Sequence, residues 1–219
     1  MYYNVLKDVV GLVKEFEEGN ANEKYPVTID GFKQWMINQI NPEFTLENFE
    51  YEGKINGRSL DSVISTLLIH LARYARLYSK SIIINSPFST QEEYIFLITL
   101  KTFGPMSKME LIKRNIQDKP GGMQIISRLL HNNFVIQEND LKDKRSKILS
   151  ITPLGLETLE EYMINIRKAT TIVSGKLNET EKMQLIHLLN KLEEFHWPIY
   201  SKNIDPEKLL DTVQNDFLK

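Results

Sequence analysis

Two short β-prone runs in this chain are separated by a charged segment that is too polar to be buried. The first run is Phe134-Val135-Ile136, the second extends over residues 148–153, and residues 140–147 read Asp-Leu-Lys-Asp-Lys-Arg-Ser-Lys. This pattern predicts a β-hairpin with a long, basic, solvent-facing tip. A helix-turn-helix pattern lies immediately upstream and a long amphipathic helix begins immediately downstream. The hairpin is therefore predicted to be the wing of a winged helix.

The helix-turn-helix is predicted from helix-capping signals. Ser107-x-x-Glu110 is a capping box that opens a short helix to about Asn115. After a turn, Pro120 occupies a favoured first helical position, and a second helix runs from there to Asn132. Asn133 follows where a left-handed cap residue is wanted, and asparagine tolerates that conformation. In such modules the second helix enters the major groove of DNA and the hairpin flanks it.

Apolar periodicity and caps predict further helices on both sides of this module. They span residues 4–18, 31–40, 59–80, 89–103, 153–175 and 179–197, with a short helix at 207–217, whereas residues 41–58 are predicted to form a loop. The predicted fold class is mainly α with a small β-hairpin wing. The apolar stripes of 59–80 and 179–197 exceed what one winged helix can cover, which predicts a homodimer.

The positive charge of the chain is concentrated in one block. The formal net charge is only −2 over all 219 residues. Residues 101–150, however, carry 10 basic and 5 acidic side chains, a net charge of +5. A localised basic block in an otherwise acidic protein is typical of a DNA-contacting module.

Composition excludes several classes of protein. The chain has no cysteine, which excludes disulfides, thiolate metal sites, cysteine nucleophiles and thiol redox sensing. No run approaches the roughly 18 apolar residues of a membrane span, and the N-terminus lacks the features of a signal peptide. We therefore expect a cytoplasmic protein with no membrane partner.

The second helix of the helix-turn-helix has an apolar side and a polar side. Its apolar side comprises Ile125, Ile126, Leu129 and Leu130. The residues left outward are Lys119, Gln124, Ser127, Arg128 and His131. Gln124 can pair bidentately with adenine, and Arg128 can reach guanine or a phosphate. The alternative is that these are ordinary solvated helix residues.

Gly121-Gly122 stands at the start of this helix, although a glycine costs roughly 1 kcal/mol relative to alanine in a helix interior. One interpretation is a close approach of backbone amides to a phosphate, aided by the helix dipole. The other is close packing against the preceding helix.

The wing resembles that of the multiple-antibiotic-resistance regulator (MarR) family. The matching segment is Asp140-x-x-Asp143-x-Arg145-x-x-x-Leu149-x-Ile151-Thr152-x-x-Gly155, and the similar pattern of elements covers residues 59–197. The resemblance implies a homodimeric, cytoplasmic transcription regulator of prokaryotic type. The subunits would join through helices 59–80, 156–174 and 179–197, and a symmetric dimer would bind a pseudo-palindromic operator in double-stranded DNA.

The resemblance also implies roles for individual residues. Arg145 would enter the minor groove and Asp143 would hold the shape of the wing. Many members have small hydroxyl residues where Pro120 and Gly121 stand, so the operator sequence does not transfer to this chain. The predicted DNA-binding set is Lys119, Pro120, Gly121, Gln124, Ser127, Arg128, Lys142, Asp143, Lys144, Arg145 and Lys147.

Many members of the family release DNA when a small aromatic compound binds between the dimer helices and the winged helix. By this resemblance, Tyr74, Tyr78, Tyr94 and Phe96 would line such an effector cleft. The alternative is that these aromatic side chains are simply part of the core.

Catalytic motifs are absent from the sequence. There is no phosphate-binding glycine loop, no His-x-x-x-His and no nucleophile elbow, so we expect neither an enzyme nor a cofactor or metal site. The predicted function is a sequence-specific DNA-binding repressor; the alternative is a winged helix that docks an acidic protein partner. The predicted organisation is an N-terminal extension (1–58), a dimerisation helix (59–88), the winged helix-turn-helix (89–152) and C-terminal dimerisation helices (153–219).

Overall fold

The computed structural model describes residues 2–20, 24–40, 49–139 and 147–218. The protein is mainly helical with one small antiparallel sheet, so the predicted fold class is confirmed. The chain forms two compact units, Met1–Leu67 and Leu68–Lys219.

The helices and strands agree closely with those predicted. The helices are α1 (Tyr2–Gly19), α2 (Ile29–Ile40), α3 (Leu60–Ile83), α4 (Gln91–Phe103), α5 (Lys108–Arg114), α6 (Lys119–His131), α7 (Pro153–Ser174), α8 (Glu179–Ser201) and α9 (Pro206–Asp216). The strands are β1 (Met106–Ser107), β2 (Val135–Asn139) and β3 (Lys147–Ile151).

In the N-terminal unit, an aromatic cluster joins α1 to α2. Phe16 and Trp35 are buried, and Phe32 stacks on Trp35 with ring centroids 5.9 Å apart. Arg58 ties the chain to the start of α3, because its Nη2 donates to Thr66 Oγ1 at 2.7 Å. The loop predicted at 41–58 contains a 3₁₀ turn at Lys54–Asn56 in its described part.

In the second unit, α4 is the central helix of the core. Phe96, Leu97 and Leu100 are buried and belong to one cluster with side chains from α5, α6, α7 and the sheet. The fully buried members from those other elements include Leu111, Ile126, Leu129, Leu149 and Leu159. Helix α6 and the strands of the hairpin are thus anchored on the same apolar centre.

The sheet has the strand order β1-β3-β2. Strands β2 and β3 form the predicted hairpin, with pairing from Val135–Ile151 to Asn139–Lys147. Strand β1 pairs with the other edge of β3, with Met106 opposite Leu149. The sequence analysis did not predict β1, because two residues are too few to show a strand pattern.

Helix α8 is well capped but sparsely buried. Asn178 and Glu181 form the predicted capping box, each side chain bonding the backbone N–H of the other. Among the residues of α8, only Ile199 near its end is buried. Within the described ranges, no helix is long and apolar enough to cross a membrane.

Candidate nucleic-acid interface

The helix-turn-helix consists of α5, a short turn and α6. Ser107 caps α5 by accepting from the Glu110 N–H at 3.1 Å. Asp118 caps α6 by accepting from the Gly121 N–H at 2.8 Å, so α6 begins one residue earlier than predicted and Pro120 is its second residue. In the turn, Ile116 has a φ of 51°, which is an unusual conformation for a β-branched residue.

The structure distinguishes the two glycines at the start of α6. A Cβ atom on Gly122 would lie 2.5 Å from Ile112 Cγ1, so this glycine allows α5 and α6 to approach closely. The N–H of Gly121 already donates to the Asp118 carboxylate. The close-packing interpretation is therefore confirmed for Gly122. The backbone N–H of Gly121, which a bound phosphate would need as a donor, is already hydrogen-bonded to Asp118.

The solvent face of α6 carries several of the predicted DNA-binding residues. Lys119, Pro120, Gln124 and Ser127 are exposed, and Gly121 is partly exposed. Within the part of the chain that the structure describes, the side chains of Lys119, Gln124 and Ser127 make no hydrogen bond or ion pair. Their polar groups are available to a ligand along one face of a rigid helix.

Arg128 was predicted to point outward, and this orientation is wrong. Its guanidinium is turned toward α4, where Nε donates to Glu93 Oε1 at 2.5 Å and Nη2 donates to Thr90 Oγ1 at 3.4 Å. The physical reason is that the carboxylate of Glu93 is fully buried, and a buried charge requires a partner. Nothing in the sequence around Arg128 marks this partner, which lies 35 positions away.

The base of the wing is an antiparallel ladder that ends at Asn139 and Lys147. Lys147 is exposed at the start of β3. The other predicted wing residues, Lys142, Asp143, Lys144 and Arg145, lie outside the described residues. Their DNA-binding roles stay predictions.

The four aromatic residues predicted to line an effector cleft do not share one environment. Phe96 is fully buried in the core, so its place in a cleft is wrong; α4 packs against several elements at once and leaves no opening at this position. Tyr94 is also buried, and its hydroxyl donates to Ser79 Oγ at 2.8 Å. Burial raises the pKa of Tyr94 above its ordinary value, while the bond with Ser79 acts in the opposite direction. Tyr74 is 52% exposed on α3.

Tyr78 borders a groove between the end of α3 and α7. The groove has a volume of about 320 Å³, and its polar lining consists of Tyr78, Ser81, Asn165 and Lys168. The sequence analysis missed Asn165 and Lys168, because they resemble ordinary solvated residues of an amphipathic helix. Among all the described residues, including those of this groove, no group of three or more histidine and acidic side chains is placed so that it could hold a metal ion.

Comparisons with known proteins agree with this geometry, although no family model matches the chain. An uncharacterized HTH-type transcriptional regulator of Staphylococcus aureus is 27% identical over 104 residues, which are 47% of this chain and 71% of the relative. The HTH-type transcriptional repressor NicR of Pseudomonas putida is 29% identical over 106 residues, covering 48% of this chain and 67% of NicR.

Solved structures share the fold. BpsR of Bordetella bronchiseptica, whose DNA binding is regulated by 6-hydroxynicotinic acid, matches with a TM-score of 0.55 and 23% identity over 59% of this chain and 98% of BpsR. PcaV of Streptomyces coelicolor, solved with its natural ligand, matches with a TM-score of 0.55 and 18% identity over 63% of this chain and 96% of PcaV.

The fold and these relatives define a class, the winged helix-turn-helix transcription regulators. The relatives are regulators rather than enzymes. Within that class the chain has the fold of the MarR-family regulators, and the predicted resemblance to that family is confirmed.

Proposed function

We propose that this protein is a homodimeric repressor that binds a pseudo-palindromic operator through α6 and the wing. The observation that carries this proposal is the solvent face of α6, where Lys119, Gln124 and Ser127 are exposed and unpaired within the described part of the chain. Lysine suits phosphate contacts, whereas glutamine suits adenine. Repression is the activity named for NicR.

The dimer would form through α8 and α3. Apolar side chains on α8 are exposed in the single chain, including Met183, Ile186 and Leu188. Leu189 and Leu192 line a groove of about 370 Å³ together with Leu68 of α3. A second copy that covers these side chains would remove them from water, and burial of each leucine or isoleucine contributes about 1.5–3 kcal/mol.

The groove beside Tyr78 is the effector site in this proposal. Its Lys168 ammonium, together with Ser81 and Asn165, suits a small aromatic carboxylate whose ring packs on Tyr78. A ligand of this chemistry, 6-hydroxynicotinic acid, regulates the DNA binding of BpsR. We expect such compounds to release DNA from the wild-type protein. The Lys168→Ala variant should bind DNA normally and resist release.

DNA binding is tested by fluorescence anisotropy with duplexes from the region upstream of the protein's own gene, over a range of salt concentrations. If a dimer neutralises about eight phosphates, the log–log slope of affinity against salt is roughly −7. Two recognition helices would lie about 34–36 Å apart, so the footprint should cover two half-sites one DNA turn apart. A nearly flat salt response would instead support docking of an acidic protein.

The same titration tests the predicted DNA contact of the wing with variants of Arg145. Arg145→Ala should cost roughly 1–3 kcal/mol per subunit in DNA affinity, as expected for one groove contact. Arg145→Lys should recover only part of this loss, because a point charge does not reproduce the planar fork of arginine. Wild-type affinity in Arg145→Ala would contradict the wing assignment.

A further inference from the structure

Helix α4 begins with two adjacent carboxylates that both contact the recognition unit. Glu92 Oε2 accepts from Gln117 Nε2 at 3.0 Å, and Gln117 lies in the turn that leads into α6. Glu93 Oε1 accepts from Arg128 Nε at 2.5 Å, and Arg128 lies in the last turns of α6. The two contacts are separated by roughly three helical turns of the recognition helix. One helix therefore holds α6 near both of its ends.

Both carboxylate oxygens of Glu93 accept hydrogen bonds. The side chain is fully buried, and its second oxygen, Oε2, accepts from the Ser89 N–H at 2.9 Å, which fixes the carboxylate at the start of α4. Arg128 is itself fixed by its second donor, which reaches Thr90. Each partner is therefore held by two hydrogen bonds, and a rotation of α6 would break those that Arg128 makes with α4 and its cap.

A buried ion pair is an inefficient way to stabilise a protein. An apolar pair of similar volume is often equally stabilising, because the fully buried carboxylate of Glu93 and the partly buried guanidinium of Arg128 lose hydration when they pair. The ion pair does, however, impose a specific direction on each partner, which apolar packing does not. Because this ion pair joins α4 to α6, the direction that it imposes affects how α6 would face DNA.

We infer that Glu92 and Glu93, acting through Gln117 and Arg128, set the orientation of α6 in the DNA groove. We call these four residues the carboxylate clamp. Arg128 is then a positioning residue that acts through the helix, and the bases are contacted by its neighbours Gln124 and Ser127. This inference rests on the proposed function.

The experiment compares three variants with a matched control. Arg128→Met and Glu93→Gln each remove one charge of the pair. The double variant removes both charges. It therefore avoids the large loss of stability that follows when one buried charge is left without its partner. Lys101→Met is the control, because it removes another ion pair of α4, the exposed one with Glu160 at 2.8 Å. Each protein is titrated with the upstream duplex and with a random duplex of equal length, and its melting temperature is measured by circular dichroism.

We expect the double variant to melt closer to the wild type than either single variant does. All three should bind the upstream duplex about tenfold more weakly, roughly the loss of one base contact. Binding to the random duplex and the salt slope should stay unchanged, since no phosphate contact is removed. The control should match the wild type in both titrations.

Two results would overturn the inference. Wild-type affinity of the double variant for the upstream duplex would show that the pair only supports folding. A salt slope reduced by about one in Arg128→Met, with undiminished affinity in Glu93→Gln, would show that Arg128 contacts phosphate directly. Failure of the proposed function is distinguishable from both, because the wild-type protein would then bind the two duplexes equally or not at all.

Discussion

Helices α4 and α8 are both rich in apolar residues, yet a single chain buries only one of them. In α4, six of 13 residues are buried, and Phe96 and Leu97 are completely inaccessible. In α8, one of 23 residues is buried, and Leu188 is 58% exposed. The winged helix thus completes its core with its own elements, whereas α8 presents an apolar surface that the described residues of the chain leave exposed. Folding of the module and the proposed assembly of two chains therefore depend on separate sets of side chains.

The largest expected effect comes from the helix that is already buried. Phe96→Ala should reduce the free energy of unfolding by about 3–5 kcal/mol, because it leaves a cavity at the centre of the module. Urea denaturation followed by circular dichroism measures this loss, which should be the same at low and high protein concentration. A loss that changes with concentration would mean that the core of the module itself depends on a second chain.

A smaller effect is expected from a charge on the exposed helix. Leu188→Glu should shift the equilibrium toward monomer by about 1.5–3 kcal/mol, the value of one buried leucine. Light scattering across a dilution series measures the shift. Gln184→Glu adds the same charge at an exposed polar position of α8 and serves as the control. Wild-type association of the Leu188→Glu variant would remove α8 from the interface.

The close packing of α5 against α6 predicts a loss of stability in Gly122→Ala, similar to or smaller than the effect expected for Leu188→Glu. Gly122→Ala places a Cβ 2.5 Å from Ile112 Cγ1, so the Ile112 side chain or the helix must shift. Overpacking of this kind costs about 1–3 kcal/mol. Gly121→Ala is the matched control, since the three atoms nearest its Cβ belong to the exposed Asp118 carboxylate, the closest at 3.0 Å, and not to the neighbouring helix. If thermal melting shows the two variants to be equally stable, the contact between α5 and α6 is looser than described.

The smallest effect is expected from the exposed ion pair that joins Lys101 of α4 to Glu160 of α7. The hydrogen bond and charge of Lys101 lower the pKa of Glu160 below its ordinary value. A lowered carboxyl pKa contributes stability above the unfolded pKa, and that contribution is lost as the pH falls through the folded pKa. Glu160→Gln should therefore unfold like the wild type in strong acid and differ from it only slightly at neutral pH. A large difference at neutral pH would contradict the exposed character of this pair.

The sequence was sufficient to predict most elements, because their signals are local. The caps at Ser107, Thr152 and Asn178 each accept the backbone N–H three residues ahead, as the sequence patterns indicate. The partner of Arg128 and the residues that line the groove beside Tyr78 could not be predicted in this way. Glu93 and Lys168 are distant in the chain, and only packing brings them to these sites. Local patterns thus predict elements well, whereas side-chain direction on the flank of a helix depends on tertiary contacts.

The central position of β3 determines where this protein tolerates changes in chain length. An extra residue between Lys147 and Ile151 would reverse the side of the sheet on which Leu149 lies and would disturb the pairing with both β1 and β2. The disturbance would extend to α5, because Ser107 belongs to β1 and also caps that helix. Extra residues between Asn139 and Lys147 leave both ladders paired. Insertions and deletions between Asn139 and Lys147 can therefore change the length of this connection while the paired strands and α6 keep their places.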